Sequence, residues 1–376
     1  MAKLGDIATY INGYAFKPQD WSDEGIPIIR IQDLTGNSYQ ANRYNGEYAS
    51  KYEVNDGDVL ISWSASLGVY IWHGEKAVLN QHIFKVVFDK ERISKDFFVH
   101  QVGLILENAA SDAHGATMKH LTKPVFDALP FYLPPYEKQC EIAEVLDKVT
   151  SLISLRKQQL AKLDELIKAR FVEMFGDPVY NEMHWETKRL IDICRTIVDC
   201  PHSTPHYTTK DTGYKCIRTS AVKKNKILWE KVECISKQEY GERIKRKRPE
   251  KGDVIYTREG AILGIAAVID RDYNVALGQR SMLLSPDIYQ CTPCFLSMAM
   301  NFDSFLGKAL GGVSGSASPH INVGDIKALE IIAPPIEIQN QFSTFVEQVD
   351  QQKQTVQESL EKLKLMKKAL MQEFFG

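Results

Sequence analysis

The chain has 376 residues, 44% of them hydrophobic and 25% charged, with a formal net charge of −2. This is the balance of an ordinary soluble protein with enough apolar material for two domains with real cores. No apolar run approaches the roughly 18 residues needed to cross a bilayer, and no basic segment followed by a hydrophobic one opens the chain. The expected location is therefore cytoplasmic, with no membrane partner.

The first segment, residues 1–135, alternates short apolar runs with Gly, Asn, Asp and Pro turns. That pattern predicts a strand-rich α/β head. Its polar and aromatic loops are candidate contacts: Tyr39 to Asn45, with Arg43 and Tyr44, and the run Ser62-Trp63-Ser64-Ala65-Ser66 directly after a strand. Of these, Trp63, Ser64 and Ser66 are candidates on a strand-end loop, where small hydroxyls would suit hydrogen bonding to the base edges of a nucleic acid, although Trp63 suits a core equally well.

The stretch "LPPYEKQ" then contains most of the Asp-Pro-Pro-Tyr signature of adenine-N6 methyltransferases. Leu133 stands where an acceptor for the target amine is needed and has none to offer. A second copy, "APPIEIQ", has Ala333 and Ile336 at the decisive positions. Both copies share Pro-Pro-x-Glu-x-Gln, which suits a strand-to-helix junction. The prolines end a strand, Pro135 can sit near the first helical position, and Glu137 complements the helix dipole.

Residues 136–176 read as a long helix. Leu146, Val149, Ile153, Leu160, Leu163 and Ile167 fall on an a/d seam whose steps alternate three and four, interrupted by Arg156 and Arg170. Gly176-Asp177-Pro178 is a helix stop and opens a linker, 177–188.

A second strand-rich head is expected over 189–335. It carries "CPHSTPHY", with His202, Thr204, His206 and Tyr207, and two basic clusters. These are Lys223, Lys224 and Lys226, and then Arg243, Lys245, Arg246, Lys247 and Arg248; either they neutralise phosphates or they are a solvated face. Arg258 follows a strand at the position equivalent to the Ser62 to Ser66 run. The final helix, 336–376, has its seam at Val346, Val349, Val356, Leu360, Leu363 and Leu370, interrupted by Lys353 and Lys367. A helix of about 38 residues spans roughly 55 to 60 Å. The interruptions differ between copies, which favours two helices that pair with each other.

The whole chain is one unit written twice. An offset of 200 residues runs without a gap from Gly115/Gly315 to Gly176/Gly376, matching His120 with His320 and Gln139 with Gln339. Upstream, "NDGDVLISWSASLG" faces "EKGDVIYTREGAILG" and "GIPIIR" faces "GYKCIR". Seven scattered cysteines have no disulfide-framework spacing and are expected to be reduced and mostly buried. Cys291 and Cys294 form a single C-x-x-C without a second pair, no phosphate loop is present, and the histidines make no metal pattern, so no metal is expected.

The double Pro-Pro-x-Glu-x-Gln junction, the "GDV" strands, "CPHSTPHY" leading to "GYKCIR", and "SASPHINVGDIKAL" resemble the specificity subunit of type I restriction-modification enzymes over essentially the whole chain. The resemblance implies an α/β (α+β) fold with two target-recognition domains separated by two long helices in an antiparallel coiled coil. Each domain would read one half of a split double-stranded DNA site. The helices would dock two methyltransferase subunits and, in the full complex, two motor-nuclease subunits. No cofactor is expected in this chain: S-adenosylmethionine belongs to the modification subunits, and ATP and Mg to the nuclease. The first head has "INGYAFKPQDW" where the second has the Ser-Thr-Pro segment, so the two cannot be assumed to do the same job. A two-headed protein-binding scaffold is the alternative.

Overall fold

A computed structural model describes residues 1–36, 42–112, 122–260, 262–311 and 320–376. The repeat positions Gly115, His120 and Gly315, residues 39–41 of the first candidate loop, and most of "GGVSGSASPH" lie outside them. Two compact units are present: residues 1–158 with 357–376, and residues 159–356. Each contains one head together with a stretch of both long helices.

In the first unit, an antiparallel sheet has the order Thr9–Asn12, Ile83–Val87, Val59–Ser62, Gly68–Ile71. The second unit repeats it as Cys194–Asp199, Ser281–Pro286, Val254–Thr257, Ala266–Val268. The "GDV" motif is the turn that enters the third strand of each sheet. Gly57 and Gly252 take φ +81° and +93°, a region costly for any residue with a Cβ. The following carboxylates close the turn, Asp58 accepting from the Asn55 N–H and Asp253 from the Glu250 N–H, each at 2.9 Å.

A second sheet in each head is built on a parallel pair, Ile26–Ile29 with Ala77–Leu79 and Tyr214–Ile217 with Asn274–Leu277. Arg43–Tyr44 and Glu233–Ile235 pair antiparallel to the first member. The heads differ in the fourth strand. Head one adds Glu53–Val54 beside Ala77–Leu79, whereas head two adds Tyr207–Thr208, the end of "CPHSTPHY", beside Glu233–Ile235. The departing segments reach the same edge in both heads: Ser22, just after "INGYAFKPQDW", bridges Arg43, where Tyr207–Thr208 pairs with Glu233–Ile235 in head two, while Glu53–Val54 lies outside the departing segment.

The long helices run Tyr136–Phe175 and Ile336–Phe375. Pro135 and Pro335 stand one residue ahead of them, and their carbonyls accept from the Gln139 and Gln339 N–H groups. They therefore cap the helix instead of occupying its first turn. The shared glutamine explains the rest of the motif. Gln339, fully buried, accepts from the Thr292 N–H at 2.9 Å and donates to the carbonyls of Pro334 at 2.8 Å and Gln290 at 3.0 Å. Gln139 repeats the clip, accepting from the Ser94 N–H and donating to the Pro134 carbonyl, both at 2.9 Å. Each clip ties the start of a long helix to the segment that opens a helix of its own head, Lys95–Asp112 or Pro293–Met300.

All twelve apolar seam positions are buried or half-buried. Within the second unit the helices run antiparallel. Asp164 bonds Lys353 at 2.7 Å, the Arg170 guanidinium lies over Phe345 at 5.9 Å, and Phe171 meets Phe342 edge-on at 5.4 Å. The seam lysine is therefore paired. Burial works against the Lys353 ammonium, but Asp164 and Asp350 outweigh it and raise its pKa. In the first unit, Ile142, Ala143 and Leu146 share a core with Met371, and Phe375 packs on Phe97 at 5.4 Å.

Gly176 ends the first helix at φ +72°. The 177–188 stretch is a folded connection and not a free linker. Asp177 accepts from the Val179 and Tyr180 N–H groups, the Trp185 indole donates to the Phe175 carbonyl, and Thr187–Arg189 is already a strand paired with Glu330–Ile332.

No helix among the described residues is long and apolar enough to cross a membrane. Five of the seven cysteines are buried, Cys294 is half-buried and Cys140 is exposed. Burial pushes the Cys194, Cys216 and Cys294 thiols up to about 12. Titration with a thiol reagent at pH 8 should consume one fast equivalent from the native protein and seven after denaturation, because only the thiolate reacts. Several fast native equivalents would contradict the packing described.

Candidate nucleic-acid interface

Register places the same end of the first sheet in each head at one rim. Asn12 lies opposite Phe84 and Ser62 opposite Ile83; Asp199 lies opposite Met282 and Thr257 opposite Ser281. The residues just beyond these strand ends converge on a common device.

In head one, the Trp63 N–H donates to the His82 carbonyl at 3.2 Å, and its indole N–H donates to Asn12 Oδ1 at 3.1 Å. The ring stacks on Phe84 at 5.6 Å and meets His82 edge-on at 4.9 Å. In head two, the Arg258 N–H donates to the Arg280 carbonyl at 3.0 Å, and its guanidinium grips Asp199 through Nε at 2.9 Å and Nη2 at 3.2 Å. His82 and Arg280 both take left-handed backbone, φ +73° and +69°. Trp63 and Arg258 are thus one position, as are Asn12 and Asp199, and His82 and Arg280.

Several candidate residues turn out to serve the frame. Arg258 is buried, 6% exposed, and also bonds Glu259 at 2.7 Å, so it fixes the rim and is not a free reader of bases. Arg243, equally buried, donates to the carbonyls of Leu277 and Ser203 and pairs with Glu239, which withdraws it from the exposed basic cluster. Lys247 is held by Glu250 at 2.9 Å, Asp253 at 3.6 Å and the Arg248 carbonyl. Arg43 bonds Glu75 and the Gly25 carbonyl, and Tyr44 packs on Phe16 and donates to the Glu47 carbonyl. Ser64 is buried, while Ser66 is exposed and receives the Ser62 hydroxyl on its carbonyl.

The remaining candidates stay at the surface. Lys223 and Lys226 are exposed on a tight hairpin, and Lys224 pairs with Asp303 at 2.8 Å. Lys245 pairs with Glu242, Arg246 donates to the Asp199 carbonyl and Arg248 to Asn274. His202 lies 3.1 Å from Asp199, and His206, 97% exposed, lies 3.5 Å from Glu239. Thr204 accepts from Gln279 at 2.9 Å; Tyr207, by contrast, is half-buried against the Cys216 and Ile235 core, and that burial pushes its phenol above the ordinary range. The described residues contain no group of three or more His, Cys, Asp or Glu able to hold a metal.

Sequence reasoning missed Asn12, His82, Asp199, Gln279 and Arg280. The signal was within the repeat, since "NQH" at Asn80 to His82 faces "GQR" at Gly278 to Arg280 just ahead of equivalent strands.

The family described as "Type I restriction modification DNA specificity domain" matches residues 1–165 and 182–365. The chain belongs to this family. Among its relatives, the Type I restriction enzyme EcoBI specificity subunit of Escherichia coli is 25% identical, the match covering 92% of this chain and 78% of the relative. The MjaVIII specificity subunit of Methanocaldococcus jannaschii is 23% identical over 99% of this chain and 90% of its own length. In fold, the chain is similar to the crystal structure of a type I restriction-modification S subunit from M. genitalium, with TM-score 0.57 at 12% identity and coverage of 100% and 95%. This type I specificity subunit therefore has two target-recognition domains, and its family role is DNA recognition without catalysis. In the two Pro-Pro junctions, Leu133 packs into the first core and Ala333 donates its N–H to the Glu186 carbonyl.

Proposed function

We propose that the two heads each read one half of a bipartite, asymmetric DNA site, while the long helices dock two methyltransferase subunits and, in the full complex, two motor-nuclease subunits. One observation carries the reading. The same three rim positions recur on the same frame in both heads, filled by Asn12, Trp63 and His82 in one and by Asp199, Arg258 and Arg280 in the other. A shared frame with unlike rims is what two unlike half-sites require. Adenine-N6 methyl transfer belongs to the partners, with S-adenosylmethionine on the modification subunits and ATP and Mg on the nuclease.

Co-expression with the neighbouring methyltransferase in a methylation-free host, followed by genome-wide mapping of methylated adenine, tests this. The expected result is a split motif with a fixed spacer. A complex that forms and yields no motif would establish the scaffold alternative instead.

A further inference from the structure

We infer that Arg280 is the base-reading side chain of the second head and that it recognises a guanine in that head's half-site. The inference rests on the reading of the heads as DNA-recognition domains.

Three features single out Arg280 among the cations of this head. Its side chain is exposed and has no ion-pair partner among the described residues, as is true of Lys223, Lys226, Arg246 and Arg248 outside the three rim positions but not of Arg218, Arg243, Lys247 and Arg258, all held by carboxylates. An arginine already bound to a carboxylate must give that bond up before it can bind a base, whereas Arg280 has nothing to exchange.

Its backbone is also fixed. The carbonyl accepts from the Arg258 N–H, and Arg258 is itself gripped by Asp199. On the other side, Gln279 donates to the His202 carbonyl at 2.7 Å and to Thr204 at 2.9 Å. A rigid mount leaves no backbone freedom to be lost on docking, so only the side chain's own rotamers have to be ordered.

Finally, Arg280 sits at φ +69°, where a residue with a Cβ is unfavourable and glycine is at ease. The equivalent position in the first head is His82, not glycine, at φ +73°. Both heads thus carry a side chain at a position whose backbone prefers none, which is the pattern of strain retained for function. Gly260 faces it. A Cβ there would lie 3.3 Å from Arg280 Nη1, so a larger residue would crowd the guanidinium. An arginine fork presented in this way matches guanine O6 and N7 in the major groove.

The test uses the complex with methyltransferase and compares three variants with wild type by methylation mapping and DNA binding. R280G removes the side chain while suiting the backbone. R280K keeps the charge but not the fork. H82G marks the half-site of the other head. R280G and R280K should both relax one guanine position in one half-site, with discrimination there falling roughly ten- to hundredfold. The spacer and the half-site altered by H82G should be untouched. Retention of both half-sites in R280G would overturn the assignment and leave the two-head reading standing. Uniform weakening in R280G that R280K restores would make Arg280 a phosphate contact and overturn it as well. A wild-type complex without any split motif would remove the reading on which the assignment rests, and the assignment with it.

Discussion

Replacement of Gln339 by alanine is expected to destabilise the second unit by about 3–5 kcal/mol, since it strands two buried backbone groups and a third that is part-buried. The Thr292 N–H and the carbonyls of Pro334 and Gln290 all bond this one amide, and the side chain is fully buried, so water cannot replace it at the two buried partners, the Thr292 N–H and the Pro334 carbonyl. The cost should appear as a lower denaturation midpoint and as faster amide exchange at Thr292. Gln139→Ala should follow the same pattern with a smaller loss, because its clip satisfies two groups, the Ser94 N–H and the Pro134 carbonyl. A shift below about 1 kcal/mol at Gln339 would mean that the clip is incidental to the junction.

Phe171→Ala should cost about as much, roughly 3–5 kcal/mol, by the loss of a large ring from a closed aromatic core. Its ring is fully buried, with centroids at 4.9 Å from Phe175 and Phe302, 5.4 Å from Phe342 and 5.6 Å from Phe295. These neighbours come from both long helices and from the head, so the gap cannot close by the shift of one element. Leu155→Ala on the same helix is the control. That side chain is 57% exposed, and its removal should stay within about 0.5 kcal/mol. Equal effects for the two substitutions would show that Phe171 does not anchor the helices.

The helices and the junctions were legible because their signals are local. A three-four seam, a proline pair and a terminal glycine act within one or two turns, and the structure has helices over Tyr136–Phe175 and Ile336–Phe375 with Gly176 in left-handed backbone. The rim was not legible in the same way. Arg258 and Arg243 look in sequence like any other surface cations. What consumes them are Asp199, 59 residues from Arg258, and carbonyls 34 and 40 residues from Arg243. Only the pairing of distant strands brings such groups together. The converse holds for Arg280, which stands outside every basic cluster and is distinguished by a backbone angle that composition does not encode. The difference in edge strands was half visible. The departure at "CPHSTPHY" marked where the heads differ, but its pairing with Glu233–Ile235 depends on which sheet edge is open.

The rim device also constrains how such a protein changes over generations. Its main-chain bonds, from the Trp63 N–H to the His82 carbonyl and from the Arg258 N–H to the Arg280 carbonyl, are indifferent to the side chains they carry. The third position can therefore change by single substitutions among residues that tolerate its left-handed backbone. The first two cannot, because Trp63 is matched to Asn12 and Arg258 to Asp199. An arginine arriving before its aspartate, or an aspartate before its arginine, would leave a charge without its counterpart in a half-buried site. New preferences at the third position are thus reachable one mutation at a time, whereas exchange of the inner pair requires two changes together or the import of a whole head by recombination.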